Sequence, residues 1–323
     1  MNKHKKAAIG VGLVCLTIGF AGGWYIAHVG IPFVGKERTN WAIAIYTGGS
    51  PFDFAPPDNV KNPVLTAEDV TDISADFVAD PFLVYDNGTW YMFLEVWNKD
   101  TEGDIAYATS EDGFNWNYEQ IVLDEPFHLT YPYVFNWQGE FYMMPESYQA
   151  NSIRLYKATD FPAEWSFVGT LLEGSDYVDS AIFRFEDRWW LFTASTENDT
   201  LRLYYADELL GPWTEHPESP VIEGDANIAR PGGRVLVFDG RIIRYTQDDD
   251  PDYGTCVRAF EITELTTTIY EEKPVNENPI LEPSGSGWNA YGMHQIDPHQ
   301  IDQDEWIACV DGYGYELVFG LKY

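Results

Sequence analysis

From about residue 75 to the carboxyl terminus, apolar and polar positions alternate in short runs, and no stretch of comparable length carries a helical period. Five times an alternating aromatic and aliphatic run meets a short polar turn and then a second such run: PFLVYDNGTWYMFLE from Pro81, PYVFNWQGEFYMMPE from Pro132, AIFRFEDRWWLFTA from Ala181, RVLVFDGRIIRYTQ from Arg234 and PHQIDQDEWIACVD from Pro298. Each predicts a β-hairpin. Asn87-Gly88 and Asp239-Gly240 are the strongest of the turn signals, because both residues of each pair tolerate the positive φ that a two-residue hairpin turn requires. The turns recur at steps of roughly fifty residues, which makes the hairpin a repeating unit.

A third run follows every hairpin (DIAYATS, SIRLYKATD, LRLYYADE, CVRAFEIT, ELVFGLKY), and in four of the five a short apolar piece comes next (QIVLDEP, GTLLEGS, SPVIEGD, NPILEPS). The repeat is therefore a four-stranded antiparallel sheet. The fifth lacks its last strand at the carboxyl end, while NPVLTAED near residue 62 has the same pattern and precedes the first hairpin. The amino-terminal segment is thus expected to complete the last sheet. A five-bladed all-β propeller over residues 41–323 satisfies the count, the period and the need to remove exposed strand edges. A pair of open β-sandwiches gives no reason for five equal repeats.

Composition narrows the function. The 323 residues are 45% hydrophobic and 16% aromatic, enough for a large core, and carry 19 Lys plus Arg against 52 Asp plus Glu. A net charge of -33 repels a phosphate backbone, so nucleic acid is excluded as a partner. The coat fits either a saline habitat or plain solubilising charge. Residues 1–39 hold five of the basic residues and one of the acidic ones, so the body is more acidic still.

Lys3, Lys5 and Lys6 precede an apolar stretch from Ala7 to Val34 in which His28 is the lone titratable side chain apart from Cys15 and Tyr25. That length suits one transmembrane helix preceded by a cytoplasmic basic stub (residues 1–34), then a short tether (35–40). Trp24 and Tyr25 suit interfacial anchors, and no clear small-x-small site ends the stretch, which favours an uncleaved anchor over a signal peptide. The lysines keep the amino terminus in the cytoplasm and place the propeller outside. There Cys256 and Cys309 either pair or stay as separate buried thiols.

In a propeller the starts of the first strands and the ends of the second strands gather around the axis on one face. The first-strand starts hold Asp80, Tyr131, Asp179, Arg230 and His294; the second-strand ends hold Glu95, Glu146, Gln247-Asp248 and Asp311. Carboxylates mixed with one Arg and one His suit a site that grips or hydrolyses a sugar, one carboxyl protonating a leaving oxygen while another activates water. Asp80 and Asp179 stand out, because each enters a strand between apolar residues, where an ionised side chain is costly without a partner. Glu95 and Glu146 fit equally well as caps on backbone amides. Trp90, Trp97, Tyr131, Tyr133, Trp189, Tyr245, Trp288 and Tyr291 are candidates either for stacking on a sugar face or for packing between sheets. No HExxH, CxxC, P-loop or GxSxG is present, and no cofactor is expected; a central structural cation remains open.

These residues resemble the five-bladed propellers of glycoside hydrolase family 43. ADPF with Asp80 is similar to the opening of their first blade, which implies a general base; YVDSAIFRFEDRWWLF with Asp179 is similar to their third-blade segment, which implies a residue that tunes the acid. SEDGFNW and ADELLGPWTEH resemble their blade-edge phrases and the Asp-box of sialidases. The chain also resembles the propeller at the amino terminus of plant glucosamine inositolphosphorylceramide transferases and its prokaryotic counterparts, through FVADPF, FYMMPES, ARPGGRV and RYTQDDDPDYGTCVRAFEITELTTTIYEE. The family 43 pattern places its acid Glu at the start of the fourth blade, where this chain reads GDANIARPGG. The resemblance thus implies Asp80 as base, Asp179 as modulator and Glu146 or Glu95 as acid, while the gathering on one propeller face makes Glu95, Tyr131, Arg230, Gln247 and His294 the expected sugar contacts. A surface glycan or glycolipid is the expected ligand, and a non-catalytic carbohydrate-binding propeller is the alternative.

Overall fold

The computed structural model describes residues 34–38, 40–174 and 177–319. Five antiparallel sheets follow one another along the chain. Blade 1 comprises Ala75–Asp86, Thr89–Asn98, Gly103–Ser110 and Asn117–Leu123; blade 2 comprises Thr130–Trp137, Glu140–Glu146, Ser152–Asp160 and Glu164–Glu173. Blade 3 begins with Val178–Phe185, Arg188–Ala194 and Thr200–Ala206, and its outer position is split between Thr214–Glu215 and Ile222–Glu223. Blade 4 comprises Leu236–Phe238, Arg241–Asp248, Cys256–Leu265 and Tyr270–Pro274.

Blade 5 closes the ring from both ends of the chain. Ile296–Asp302 and Glu305–Gly312 pair with each other, and Ala42–Ser50 and Asp53–Ala55 complete the sheet, with Ala42 opposite Gly312 and Gly48 opposite Trp306. The amino terminus thus supplies two strands, the third and the fourth. The run ELVFGLKY, expected as the third strand, pairs elsewhere: Tyr315–Phe319 lies antiparallel to Val34–Arg38 in a separate two-stranded unit. Most of the stretch expected as a tether is therefore strand. The motif at residue 62 contributes a single bridge, Leu65 to Ile43. Residues 7–33 of the expected transmembrane helix lie outside the described residues, and among the described residues no helix is long and apolar enough to cross a membrane.

The hairpin turns follow their chemistry. Asn87-Gly88 and Asp239-Gly240 have positive φ at both positions, as the sequence predicts, and so does Gln138-Gly139. Glu186-Asp187 adopts the same left-handed pair with no glycine, at φ 48° and 61°.

Alternation builds the core because both faces of a blade are covered. Along Ala42–Ser50, Ile43 and Ile45 pack with Leu83, Met92 and Leu94 of blade 1, while Ala44 and Tyr46 pack with Ile243, Tyr245 and Val257 of blade 4. The second strand of blade 5 divides likewise, Ile307 and Cys309 to one side and Trp306, Ala308 and Val310 to the other. Each fully buried aliphatic side chain contributes about 1.5–3 kcal/mol. Cys256 and Cys309 are both buried free thiols.

Candidate functional site

Three of the five first-strand starts share one backbone irregularity. Asp80, Tyr131 and Asp179 have φ of 52°, 46° and 44°, at equivalent points in blades 1, 2 and 3. In each case the pairing register with the second strand shifts there, between Ala79 and Phe82, Thr130 and Tyr133, and Val178 and Ala181. Such a left-handed residue costs roughly 1–2 kcal/mol, and the bulge turns its side chain out of the ladder. Second-strand carboxylates of the preceding blade hold the bulge in place. The Asp80 N–H donates to Asp311 Oδ2 at 2.9 Å, and the Asp179 N–H donates to Glu146 Oε2 at 2.9 Å. Glu146 is thus an amide cap, one of the two readings its sequence position allows, and also a member of the site.

Two charged clusters result. In the first, His294 Nδ1 donates to Asp311 Oδ1 at 2.7 Å and its Nε2 lies 3.5 Å from Asp80 Oδ1. Thr130 Oγ1 bonds Asp80 Oδ2 and sits 2.9 Å from Glu95 Oε2. Burial lifts the Asp80 carboxyl to about 6, with His294 opposing the rise. Burial disfavours the His294 cation, but Asp311 and then Asp80 outweigh it and hold His294 up at about 9. Burial, reinforced by Asp80, pushes Glu95 well above the usual carboxylate range.

In the second cluster, Arg230 Nε donates to Asp179 Oδ2 at 2.6 Å, its Nη1 donates to Asn198 Oδ1 at 2.6 Å, and its Nη2 lies 3.7 Å from Glu146 Oε2. Gln247 Nε2 donates to Asp179 Oδ2 and, at 2.8 Å, to the Pro231 carbonyl. Burial opposes ionisation of Asp179, yet Arg230 prevails and keeps it below the ordinary range. Glu146 moves the other way, raised by burial and by the Asp179 anion beside it. Two neighbouring carboxyls are therefore driven in opposite directions, the arrangement that separates an acid from an anion.

Of the residues expected at the site, Asp80, Asp179, Glu146, Glu95, Arg230, Gln247 and His294 fall in these clusters. Tyr131 reaches the ring position, but its side chain is fully buried and its hydroxyl accepts from the Gly233 N–H at 2.8 Å and donates to the Gly233 carbonyl at 3.1 Å. Asp248, next to Gln247, faces the other way and pairs with Arg258 at 2.6 Å. Among the candidate aromatics, Trp90, Tyr131, Tyr133, Trp189 and Tyr245 are core. The rings that do meet the site are Trp41, stacked on His294 at 4.0 Å, and Tyr253, 5.3 Å from His294 and under the Arg230 guanidinium at 5.2 Å. The sequence reading missed both, together with Thr130 and Asn198. Thr130 had a signal, since it immediately precedes a first-strand start, whereas Trp41 precedes the first repeat and Asn198 lies in a loop.

Asp80, His294 and Asp311 bring one potential metal-ligand atom each within 4.8 Å of one another. These donors are engaged with one another and with the backbone: Asp311 Oδ1 accepts from the His294 and Gln295 N–H groups and from the His294 ring, Asp311 Oδ2 accepts from the Asp80 N–H, and His294 Nε2 faces Asp80 Oδ1.

Several buried acceptor atoms in these clusters have no hydrogen-bond partner: Asp80 Oδ1, Asp179 Oδ1 and Gln247 Oε1. Buried polar atoms are rarely left unsatisfied, so three around one site mark a place that receives donors from outside the chain.

Comparison with solved structures places the fold beside a glycosyl hydrolase from Bacteroides ovatus, with a TM-score of 0.62 at 12% identity, covering 84% of this chain and 94% of that one. Two curated plant proteins, each named glucosamine inositolphosphorylceramide transferase 1, are similar in sequence. The one from Oryza sativa subsp. japonica is 37% identical over 297 residues, covering 84% of this chain and 40% of that protein. The one from Arabidopsis thaliana is 35% identical over 314 residues, covering 88% and 41%. The chain thus spans about 40% of the length of the curated relatives it matches. Residues 35–313 match the model of the family described as glucosamine inositolphosphorylceramide transferase 1, N-terminal, and with the five blades assembled as above the chain belongs to that family.

Proposed function

We propose that this chain is a glycan-active propeller whose axial face takes a hydroxyl-rich saccharide and works on it by acid/base chemistry. The observation that carries this reading is the packing of two buried carboxyl clusters, Asp80–His294–Asp311 and Asp179–Arg230–Glu146, with Asp80 Oδ1, Asp179 Oδ1 and Gln247 Oε1 left without partners. Asp80, beside the His294 imidazolium and titrating near 6, is largely ionised at neutral pH and acts as the proton acceptor. Glu146, raised by burial and by Asp179, keeps its proton and acts as the donor. Asp179, fixed by Arg230 and Gln247, is the anion that holds Glu146 neutral. Glu95 serves Asp80 rather than the sugar, while Arg230, Gln247 and His294 border the ligand. The printed names of the plant relatives and the hydrolase-like fold support a glycan or glycolipid as the ligand. The apolar stretch 7–34 behind three lysines supports a single-pass anchor with the propeller outside the membrane.

A second reading is favoured by Arg230, which stands at the start of the fourth blade where the hydrolase pattern has Glu and which binds Asp179 directly. In that reading the propeller holds a glycan for a partner enzyme without cutting it. Incubating the full chain with a panel of glycans and glycolipids separates the two. Sugar release that is lost in Asp80→Asn supports catalysis; saturable binding with no release supports the binding module; neither binding nor release on the panel counts against both. Protease added to intact cells digests the propeller if the anchor is oriented as proposed, and full protection refutes that orientation.

A further inference from the structure

We propose that Glu95, Thr130 and Asp80 form a single proton-sharing unit, in which Glu95 stores the proton and Thr130 relays the hydrogen bond that keeps Asp80 ionised and aimed. The assignment deepens the reading of Asp80 as proton acceptor and rests on it for its purpose, although the proton's location is a property of the protein without substrate.

The argument is a count of hydrogens. Thr130 Oγ1 lies within hydrogen-bond distance of both Asp80 Oδ2 and Glu95 Oε2. A hydroxyl has one hydrogen to donate and two lone pairs to accept with. Between two carboxylates it leaves one oxygen facing a lone pair, so a relaxed arrangement requires that one carboxyl be protonated and donate to Thr130. All three residues are buried, at 5–6% exposure.

The surroundings decide which carboxyl holds the proton. Asp80 faces the His294 ring at 3.5 Å, and His294 is itself held by Asp311. Asp80 also feels the Asp179 and Asp311 anions, but the imidazolium is the strongest of its charged neighbours. Glu95 faces His128, whose Nε2 is 3.8 Å from Glu95 Oε1. His128 Nδ1 accepts the Gly103 N–H at 3.0 Å, so that nitrogen carries no proton and the ring is neutral; burial also pushes His128 below the usual imidazole range. The remaining charged groups that act on Glu95 are, in order, the Asp80 anion, His294, which opposes it from a distance, and the Asp179 anion. Glu95 thus has no cation in contact and is the neutral partner. The sequence of donors runs from the Glu95 acid hydroxyl to Thr130 Oγ1 and from the Thr130 hydroxyl to Asp80 Oδ2, leaving Asp80 Oδ1 free for an incoming proton.

Carbon-13 carboxyl spectra of the full chain, labelled at Asp and Glu and recorded across pH 5 to 8, test this without any sugar present. The resonance that disappears in Glu95→Gln is expected at the protonated-acid position at pH 7 in the wild type. Because an amide and a neutral acid carry the same charge, Glu95→Gln is expected to leave the Asp80 midpoint within about 0.5 unit, while Thr130→Val, which removes a donor to an ionised group, raises it by about 1 unit. Thr130→Ser restores the wild-type midpoint, and with Glu95→Gln it decides the matter if Thr130→Val does not fold. An ionised Glu95 at pH 7, or an Asp80 midpoint that falls by about 1 unit or more in Glu95→Gln, overturns the proposal. Neither readout depends on turnover, so a failure of the glycan assay and a failure of this unit are told apart.

Discussion

Arg234 of blade 4 and Asp297 of blade 5 meet at 2.7 Å, and together they tie four of the five blades across the axis. Arg234 Nη2 also donates to the Val134 carbonyl of blade 2 at 2.9 Å, and Asp297 Oδ2 accepts the Leu83 N–H of blade 1 at 2.6 Å. The guanidinium lies over the Tyr133 ring at 4.9 Å. Asp297 is fully buried, so its charge has no solvent to fall back on. Replacing Arg234 with Met is expected to destabilise the propeller by about 3–5 kcal/mol, the cost of stranding a buried charge, whereas Asp297→Asn in the Met background recovers part of it. Chemical denaturation of the single and double variants measures both effects.

Stability should narrow at both ends of the pH scale. Burial opposes the Asp297 charge, but Arg234 and His299 hold its carboxyl at about 2, so its contribution is present above the ordinary value of 3.8 and is lost as pH falls through 2. His294, held at about 9, contributes fully below 6.5 and loses that contribution as pH rises through 9. Asp80 acts in the same sense as His294, its raised value weakening the fold as pH climbs from 3.8 through 6. Thermal melts across this range are expected to fall on the alkaline side in the wild type and to fall less there in His294→Gln.

The Tyr131 hydroxyl spans from blade 2 to both backbone groups of Gly233 in blade 4. Tyr131→Phe leaves two buried backbone groups short of a partner and is expected to cost about 1–3 kcal/mol, with glycan affinity unchanged. A loss of affinity with stability intact would instead return Tyr131 to the role of a ligand contact.

Gly233 is fixed by space as well as by its φ of 144°, since a Cβ there would lie 1.8 Å from the Ile296 carbonyl oxygen. Gly233→Ala is expected to disrupt the contact between blades 4 and 5 and to give little soluble folded protein. Recovery of a well-folded variant, judged by near-ultraviolet circular dichroism, contradicts this.

Asp179 sets the state of Glu146 through its charge. Asp179→Asn removes the anion that helps hold the Glu146 proton, so the Glu146 titration is expected to move to lower pH, and any activity that needs the neutral acid loses its upper pH limb first. Carboxyl titration of the variant reads the shift directly.

The sequence alone determined the blades, because a sheet covered on both faces must repeat apolar residues at period two and turn at residues that accept positive φ. Hence the hairpins at Asn87-Gly88 and Asp239-Gly240, and the ring position of Asp80, Asp179, Arg230 and His294, are local properties written in short windows. Blade 5 was only half legible. Its outer two strands lie some 250 residues from the inner two, and the strand that follows WAIAIYTGG is only the three residues Asp53–Ala55, too short to show the alternation that marks the other hairpins. The tertiary structure decided what the polar residues do once assembled. Tyr131 and Asp179 share one backbone geometry, but Gly233 stands opposite the first and Arg230 beside the second. Glu95 and Glu146 end equivalent strands, yet one shares Thr130 with Asp80 and the other caps the Asp179 amide. Protonation state and partnership depend on which charges the neighbouring blades bring within a few ångströms, and no window of sequence contains those neighbours.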